Sequence, residues 1–222
     1  MAIIIPAHNE ADRIGLTVQG AWSLNPAELV VVDDGSVDET GPRARAAGAR
    51  VVRLARNRGK GLALAAGLDQ TMALVVLFLD GDLGLTAGNA GPLLEPLLGG
   101  EADMSIGLLP REGRRPGLGL TLTTARWGCR ILTGRSFVAP LSGQRALSRA
   151  VARALQPYPP GFGLEICLTV RAVRAGYRVV EIPVELVDRG SGCNLAGFLH
   201  RGQQWYAVSQ ALAAEAWRGW WP

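Results

Sequence analysis

Lysine is nearly missing from this 222-residue chain. Lys60 is the only one, and arginine supplies the rest of the 23 basic residues. Against 19 acidic residues the formal net charge is only +4, with arginines scattered along the chain. No basic run interleaved with aromatics is present, so a nucleic-acid partner is not expected. Cysteine is equally scarce: Cys129, Cys167 and Cys193 are odd in number, far apart and without CxxC spacing, and only His8 and His200 could join them. That excludes a disulfide framework and a structural zinc site. The apolar run Leu74 to Leu79, even with Met72 and Ala73 before it, is far short of the ~20 residues that cross a bilayer. The first residues, leading into Ile3-Ile4-Ile5-Pro6, lack the basic stretch, apolar core and cleavage site of a secretory signal. These absences lead to the expectation of a cytoplasmic protein, at most peripheral at the inner face of a membrane.

What is present is a hydrophobic fraction of 48% with 19% charged residues, enough for a sheet buried on both faces. The length fits one α/β domain, 1–222, without a second core. Apolar strands alternate with helices through the first half. Strands are expected at Ala2–Pro6, Glu28–Asp33, Arg50–Leu54, Leu74–Asp80 and Ala102–Leu108, and helices at Glu10–Ser23, Asp38–Ala47 and Lys60–Met72, with a proline-interrupted helical stretch before the fifth strand. The second half is less regular, with a loop at Arg111–Gly117, helices at Leu118–Leu132, Leu164–Ala175 and Leu195–Trp217, and strands at Leu141–Leu147 and Arg178–Val187. Continuous apolar strands separated by helices indicate a mainly parallel, Rossmann-like sheet flanked by helices on both faces. In such sheets ligands bind at the carboxyl ends of the strands.

Those ends carry Pro6-Ala7-His8-Asn9-Glu10, Asp33-Asp34-Gly35-Ser36, Arg56-Asn57-Arg58-Gly59-Lys60-Gly61 and Asp80-Gly81-Asp82, polar in every case. Residues i and i+2 of a strand project to one side, so Asp80 and Asp82 would converge on one point, with Gly81 letting the backbone bend. Two hard oxygen ligands suit Mg²⁺ or Mn²⁺, which completes its shell with water and substrate phosphates. The competing reading of a lone DxD is a turn with a helix cap. A buried carboxylate at Asp33 or Asp34 would accept hydrogen bonds from a nucleobase or a ribose; the competing role for one of them is to cap the following helix, for which Ser36 and Asp38 are equally good candidates. Lys60 opens a helix after glycine, where it would touch a diphosphate or stand in solvent. The full P-loop spacing is absent, which argues against an NTPase.

The ordered set PAHNE (Pro6–Glu10), VVVDDGSVDET (Val30–Thr40), NRGKGLALAAG (Asn57–Gly67), LFLDGDL (Leu77–Leu83), SGQRALSR (Ser142–Arg149) and GLEICLTVRAVRAGYRVVEIPV (Gly163–Val184) resembles the family-2 glycosyltransferases of the GT-A fold. Within that family it is similar to the branch of dolichol-phosphate and polyprenyl-phosphate sugar transferases. The resemblance implies a metal-dependent, inverting transfer of a sugar from a UDP- or GDP-linked donor to a lipid phosphate or another phosphorylated small molecule. It places Pro6, Ala7 and Glu10 in the nucleoside pocket, Asp34 on the base with Asp33 beside it, and Lys60, Asp80, Gly81 and Asp82 at the donor diphosphate and metal. Glu165 matches the position of an acid that acts as base or orients the acceptor, and Arg189 matches an arginine that reaches the diphosphate. Gly84 departs from the Gln or Ser that the family carries two residues beyond its second acid.

Residues 1–110 would then bind the nucleotide sugar, and 111–222 the acceptor. Gln144 and Arg145 are the expected acceptor contacts, the guanidinium fork suiting a phosphate and a structural ion pair being the competing role. Three of the six tryptophans crowd Trp217–Trp221, which fits a peripheral membrane contact, packing on the domain, or a homo-oligomer. The competing functions are a sugar-phosphate nucleotidyltransferase, whose glycine-rich first loop is missing here, and a non-catalytic nucleotide-sugar-binding protein.

Overall fold

A computed structural model describes residues 1–110, 119–159, 161, 163–187 and 195–218. Seven strands form one sheet: β1 (Ala2–Ala7), β2 (Glu28–Asp33), β3 (Arg50–Arg53), β4 (Val75–Phe78), β5 (Met104–Leu108), β6 (Arg145–Ser148) and β7 (Val179–Pro183), in the spatial order β3-β2-β1-β4-β6-β5-β7. The helices are α1 (Ile14–Trp22), α2 (Thr40–Ala46), α3 (Lys60–Leu68), α4 (Glu95–Leu98), α5 (Gly119–Thr133), α6 (Arg149–Ala154), α7 (Leu164–Arg174) and α8 (Leu195–Arg218), with a 3-10 helix over Gly84–Leu93. The α/β class and the mainly parallel sheet match expectation, and most boundaries differ by one to four residues. Helix α6 was not foreseen.

Alternate side chains of each strand enter different layers, as the two-residue period of a strand requires. Ile4, Val30, Val32, Val76 and Phe78 join α3 and α7 on one face, while Ile3, Ile5, Val31, Leu77 and Leu79 meet α1 and the 3-10 helix on the other. Burial on both faces explains why these strands read as unbroken apolar runs rather than alternating ones.

Strand β6 is the exception in direction. It runs antiparallel to both β4 and β5, with Arg145 opposite Phe78 and Ile106, whereas β1, β2, β3 and β4 pair in parallel and β5 pairs in parallel with β7. The start of β6 therefore lies at the edge where β4 ends. Residues 142–144 reach the same edge as Asp80.

Helix α3 approaches the sheet through Gly67, where an added Cβ would overlap Ile4 Cγ2 and come within 3.1 Å of Val32 Cγ2. Gly67→Ala is thus expected to destabilise the protein by about 1–3 kcal/mol through overpacking. Gly15→Ala, in α1 with no atom within 4 Å of the new methyl, should stabilise it by roughly 0.5–1 kcal/mol through helix propensity. Urea unfolding of the two variants checks the opposite signs.

Candidate functional site

At the carboxyl edge a single ammonium group joins two carboxylates from distant parts of the chain. Lys60 Nζ, at the start of α3, lies 2.6 Å from Asp80 Oδ1 and 2.8 Å from Glu165 Oε1 in the first turn of α7. Desolvation opposes its charge, but the two carboxylates outweigh that effect and lift its pKa above the ordinary lysine range.

The opposite flank of Asp80 is held by Gln144. The Gln144 Nε2 amide donates to Asp80 Oδ2 at 2.7 Å, and the Asp80 backbone N–H donates to Gln144 Oε1 at 3.0 Å. A carboxylate only accepts and a backbone N–H only donates, so this pairing fixes which end of the amide faces which group. Gly143 closes over the pair: an added Cβ would overlap Lys60 Nζ and stand 2.7 Å from Asp80 Oδ2.

Asp80-Gly81-Asp82 lies beyond β4, in a turn, rather than on the strand as expected. Helix α1 braces that turn, Thr17 Oγ1 donating to the Gly81 carbonyl at 2.9 Å and accepting from the Gly84 N–H at 2.8 Å. Arg13 donates to the Asp82 carbonyl at 3.3 Å. Thr17 and Arg13 carried no signal in the sequence, and Gly143 stood only as part of the SGQRALSR motif, because their roles come from tertiary approach.

Two expected donor contacts have another task. Asp34 is 3% exposed and its two oxygens accept from the Arg58 and Gly59 N–H groups at 2.8 Å each. Asp33 is fully buried, and its Oδ1 accepts from the Ser36 N–H at 2.8 Å. Both carboxylates therefore brace loops. Asp34 positions Lys60, since it holds the two residues before it. Pro6 and Ala7 end the neighbouring β1, half-buried and buried, and Glu10 is half-buried on the loop that follows. That loop is tied to the next one by the Glu10 N–H, which donates to Thr40 Oγ1 at 2.8 Å.

Arg145 also departs from expectation. Its side chain is 1% exposed and its guanidinium donates to the carbonyls of Pro140 and Ser142 and to Thr169 Oγ1. Burial pushes its pKa down to about 10, against the upward pull of Glu165, Cys129 and Glu181. It is a buried strut that shapes the 140–144 turn. It does not face an acceptor, and Gln144, 2% exposed, faces Asp80. Arg189, Cys193 and the Arg111–Arg115 loop lie outside the described residues, as do Trp220 and Trp221 and the side chain of His200. Cys129 and Cys167 are buried thiols.

Asp80 and Asp82 suit a hard divalent ion. Asp80 already takes a cationic group at Oδ1, its side chain is 30% exposed, and no cluster of three or more His, Cys, Asp or Glu forms a closed cage among the described residues. Such a donor set leaves coordination positions for water and phosphate oxygens, as Mg²⁺ sites do.

Two substitutions separate brace from site. Asp34→Ala is expected to lower stability by about 1.5–3 kcal/mol through loss of charge-assisted hydrogen bonds, read as an earlier thermal unfolding. Gln144→Leu is expected to weaken Mn²⁺ binding roughly tenfold by loosening Asp80, read by electron paramagnetic resonance of Mn²⁺ titrated with nucleoside diphosphate present.

Comparison with known proteins agrees with this geometry. Residues 2–135 match the family model described as Glycosyl transferase family 2. "Glycosyltransferase AglJ" of Haloferax volcanii is 31% identical over 206 residues, covering 88% of this chain and 66% of that protein. "Glucosyl-3-phosphoglycerate synthase" of Mycobacterium tuberculosis is 34% identical over 201 residues, covering 77% and 60%. The chain thus spans somewhat under two thirds of the length of these curated relatives. "Polyprenol monophosphomannose synthase" of Mycolicibacterium smegmatis is 29% identical and is covered over 85% of its length. Among solved structures, the M. tuberculosis glucosyl-3-phosphoglycerate synthase in complex with Mn²⁺, UDP and phosphoglyceric acid superposes with a TM-score of 0.82 at 29% identity, over 96% of this chain and 77% of that one. The sheet is that of the GT-A fold, and the chain belongs to glycosyl transferase family 2.

Proposed function

We propose that the chain is a metal-dependent glycosyltransferase that moves a sugar from a nucleoside-diphosphate sugar, UDP-linked in the first instance, to a phosphate-bearing acceptor. The observation that carries this reading is the Asp80–Lys60–Glu165 constellation at the carboxyl edge of the sheet, the place where doubly wound sheets take ligands. Mn²⁺, UDP and phosphoglyceric acid bound together in the solved relative support it, as do complexes of that relative with Mn²⁺ and UDP-glucose or with Mg²⁺ and UDP.

In this reading Asp80 and Asp82 would hold Mn²⁺ or Mg²⁺, with Pro6, Ala7 and Glu10 lining the nucleoside side and Arg189 reaching the diphosphate. The ion, when bound, would neutralise charge on the departing diphosphate. Gln144 keeps the Asp80 carboxylate aimed, and Lys60 adds a fixed positive charge beside it. The acceptor oxygen would attack the anomeric carbon from the face opposite the diphosphate, so the bond to the diphosphate oxygen breaks as the new glycosidic bond forms, with inversion. Where the acceptor oxygen is a hydroxyl, Glu165 would take its proton. An ionised phosphate oxygen carries none, and there Glu165 would only orient the acceptor.

UDP-glucose or GDP-mannose is expected to bind at least tenfold more tightly with Mn²⁺ than with chelator, and Asp82→Ala should abolish that difference. Calorimetry decides, and equal affinity in both conditions removes the metal role. Transfer measured from radiolabelled donors should reach phosphoglycerate or polyprenyl phosphate and not unphosphorylated sugars. On a hydroxyl acceptor, Glu165→Gln should lower kcat by about 10²–10⁴-fold, the usual contribution of a general base, while calorimetric donor affinity stays unchanged.

A further inference from the structure

Three large apolar side chains of α5 stand in solvent: Leu120 at 67%, Trp127 at 70% and Ile131 at 61% exposure. Their spacing of seven and four residues lines one stripe of the helix, opposite the buried Thr121, Ala125 and Cys129. Helix α8 packs beside this stripe. An added Cβ on Gly128 would overlap Leu212, and Trp205 Nε1 donates to Thr124 Oγ1 at 3.2 Å, one turn from both Leu120 and Trp127. Trp205, Tyr206 and Trp217 of α8 are themselves exposed. Single exposed apolar residues are ordinary, but a stripe of three on one helix with Trp205 of the next beside it calls for a partner.

The charges around it narrow the partner's chemistry. Helix α5 carries Arg126 and Arg130 and no aspartate or glutamate. Arg130 is exposed on the flank of the α5 stripe. The one acid of α8, Glu215, is 2% exposed and accepts from Arg171 Nε at 2.8 Å. Neither helix therefore offers an exposed carboxylate. A two-fold contact with a second copy would bring two arginine-bearing faces together without an acid to pair them. Tryptophan and tyrosine rings beside arginine instead match the boundary of an anionic bilayer, where the rings sit at headgroup depth and guanidinium groups meet phosphates.

We propose that the α5–α8 face docks on an anionic lipid surface. Both helices pack on α7, which carries Glu165 in its first turn, and β5, which precedes α5, ends at the Asp80 edge. A docked protein would hold its candidate site close to the headgroups. The docking itself needs no turnover.

Cosedimentation with vesicles of phosphatidylcholine, and of phosphatidylcholine mixed with phosphatidylglycerol, tests the proposal. Wild type should bind the mixed vesicles preferentially, and high salt should weaken that binding. The double variant Trp127→Ser, Ile131→Ser should bind them about tenfold less or weaker still, the loss expected from withdrawing two apolar side chains. Arg130→Glu should also bind less and lose most of the salt dependence, whereas Trp22→Ser, on α1, should bind as wild type does. Melting curves confirm that the variants fold, and calorimetric donor binding with Mn²⁺ shows separately whether the catalytic reading stands. Indifference to phosphatidylglycerol, undiminished binding by the double variant, or a solution dimer that this variant converts to monomer would each overturn the proposal.

Discussion

The arrangement at the sheet edge depends on one half-buried cation contact, in which the Lys60 ammonium lies between Asp80 and Glu165. Asp80 follows the fourth strand, Glu165 opens a helix some eighty residues later, and Lys60 begins a helix before either. Two carboxylates brought together at a partly dry edge repel each other, and the ammonium offsets that repulsion. It also ties the first half of the sheet to the helical layer that follows it. Asp34 contributes one step back, since its carboxylate fixes the two N–H groups immediately before Lys60.

The reversed strand β6 completes the site. A parallel strand in that place would bring its first residues to the far edge, away from Asp80. Running antiparallel, β6 sets Arg145 against Phe78 and thereby delivers Gly143 and Gln144 to the carboxylate. The guanidinium of Arg145 collects the carbonyls of the preceding turn, which would otherwise lack partners in an apolar layer. Its charge is buried so that a loop can keep its shape.

The apolar strands and the polar residues at their ends were legible in the sequence because burial on both faces leaves an unbroken signal and because function collects where strands stop. Lys60 and Asp80 were singled out that way, and Glu165 by the family resemblance. The roles of Asp33, Asp34 and Arg145 were not, since a carboxylate after a strand or a guanidinium near a glycine looks the same whether it meets a ligand or a backbone amide. That choice is made by burial, which depends on the whole fold. The direction of β6 was equally hidden, because alternation of side chains is identical for a strand read either way. Thr17 and Gly143 act through contacts with segments more than sixty residues away, beyond the reach of any local pattern.

The scarcity of lysine gives the site a chemical handle. Apart from the α-amine of the first residue, the chain possesses a single primary amine, and it lies between the two carboxylates of the candidate site. An amine-directed reagent therefore has one side chain to find, and the access of that reagent is governed by whatever occupies the sheet edge. Labelling stoichiometry in this protein reports on one location, so the mass of the intact chain becomes a direct measure of how open that location is.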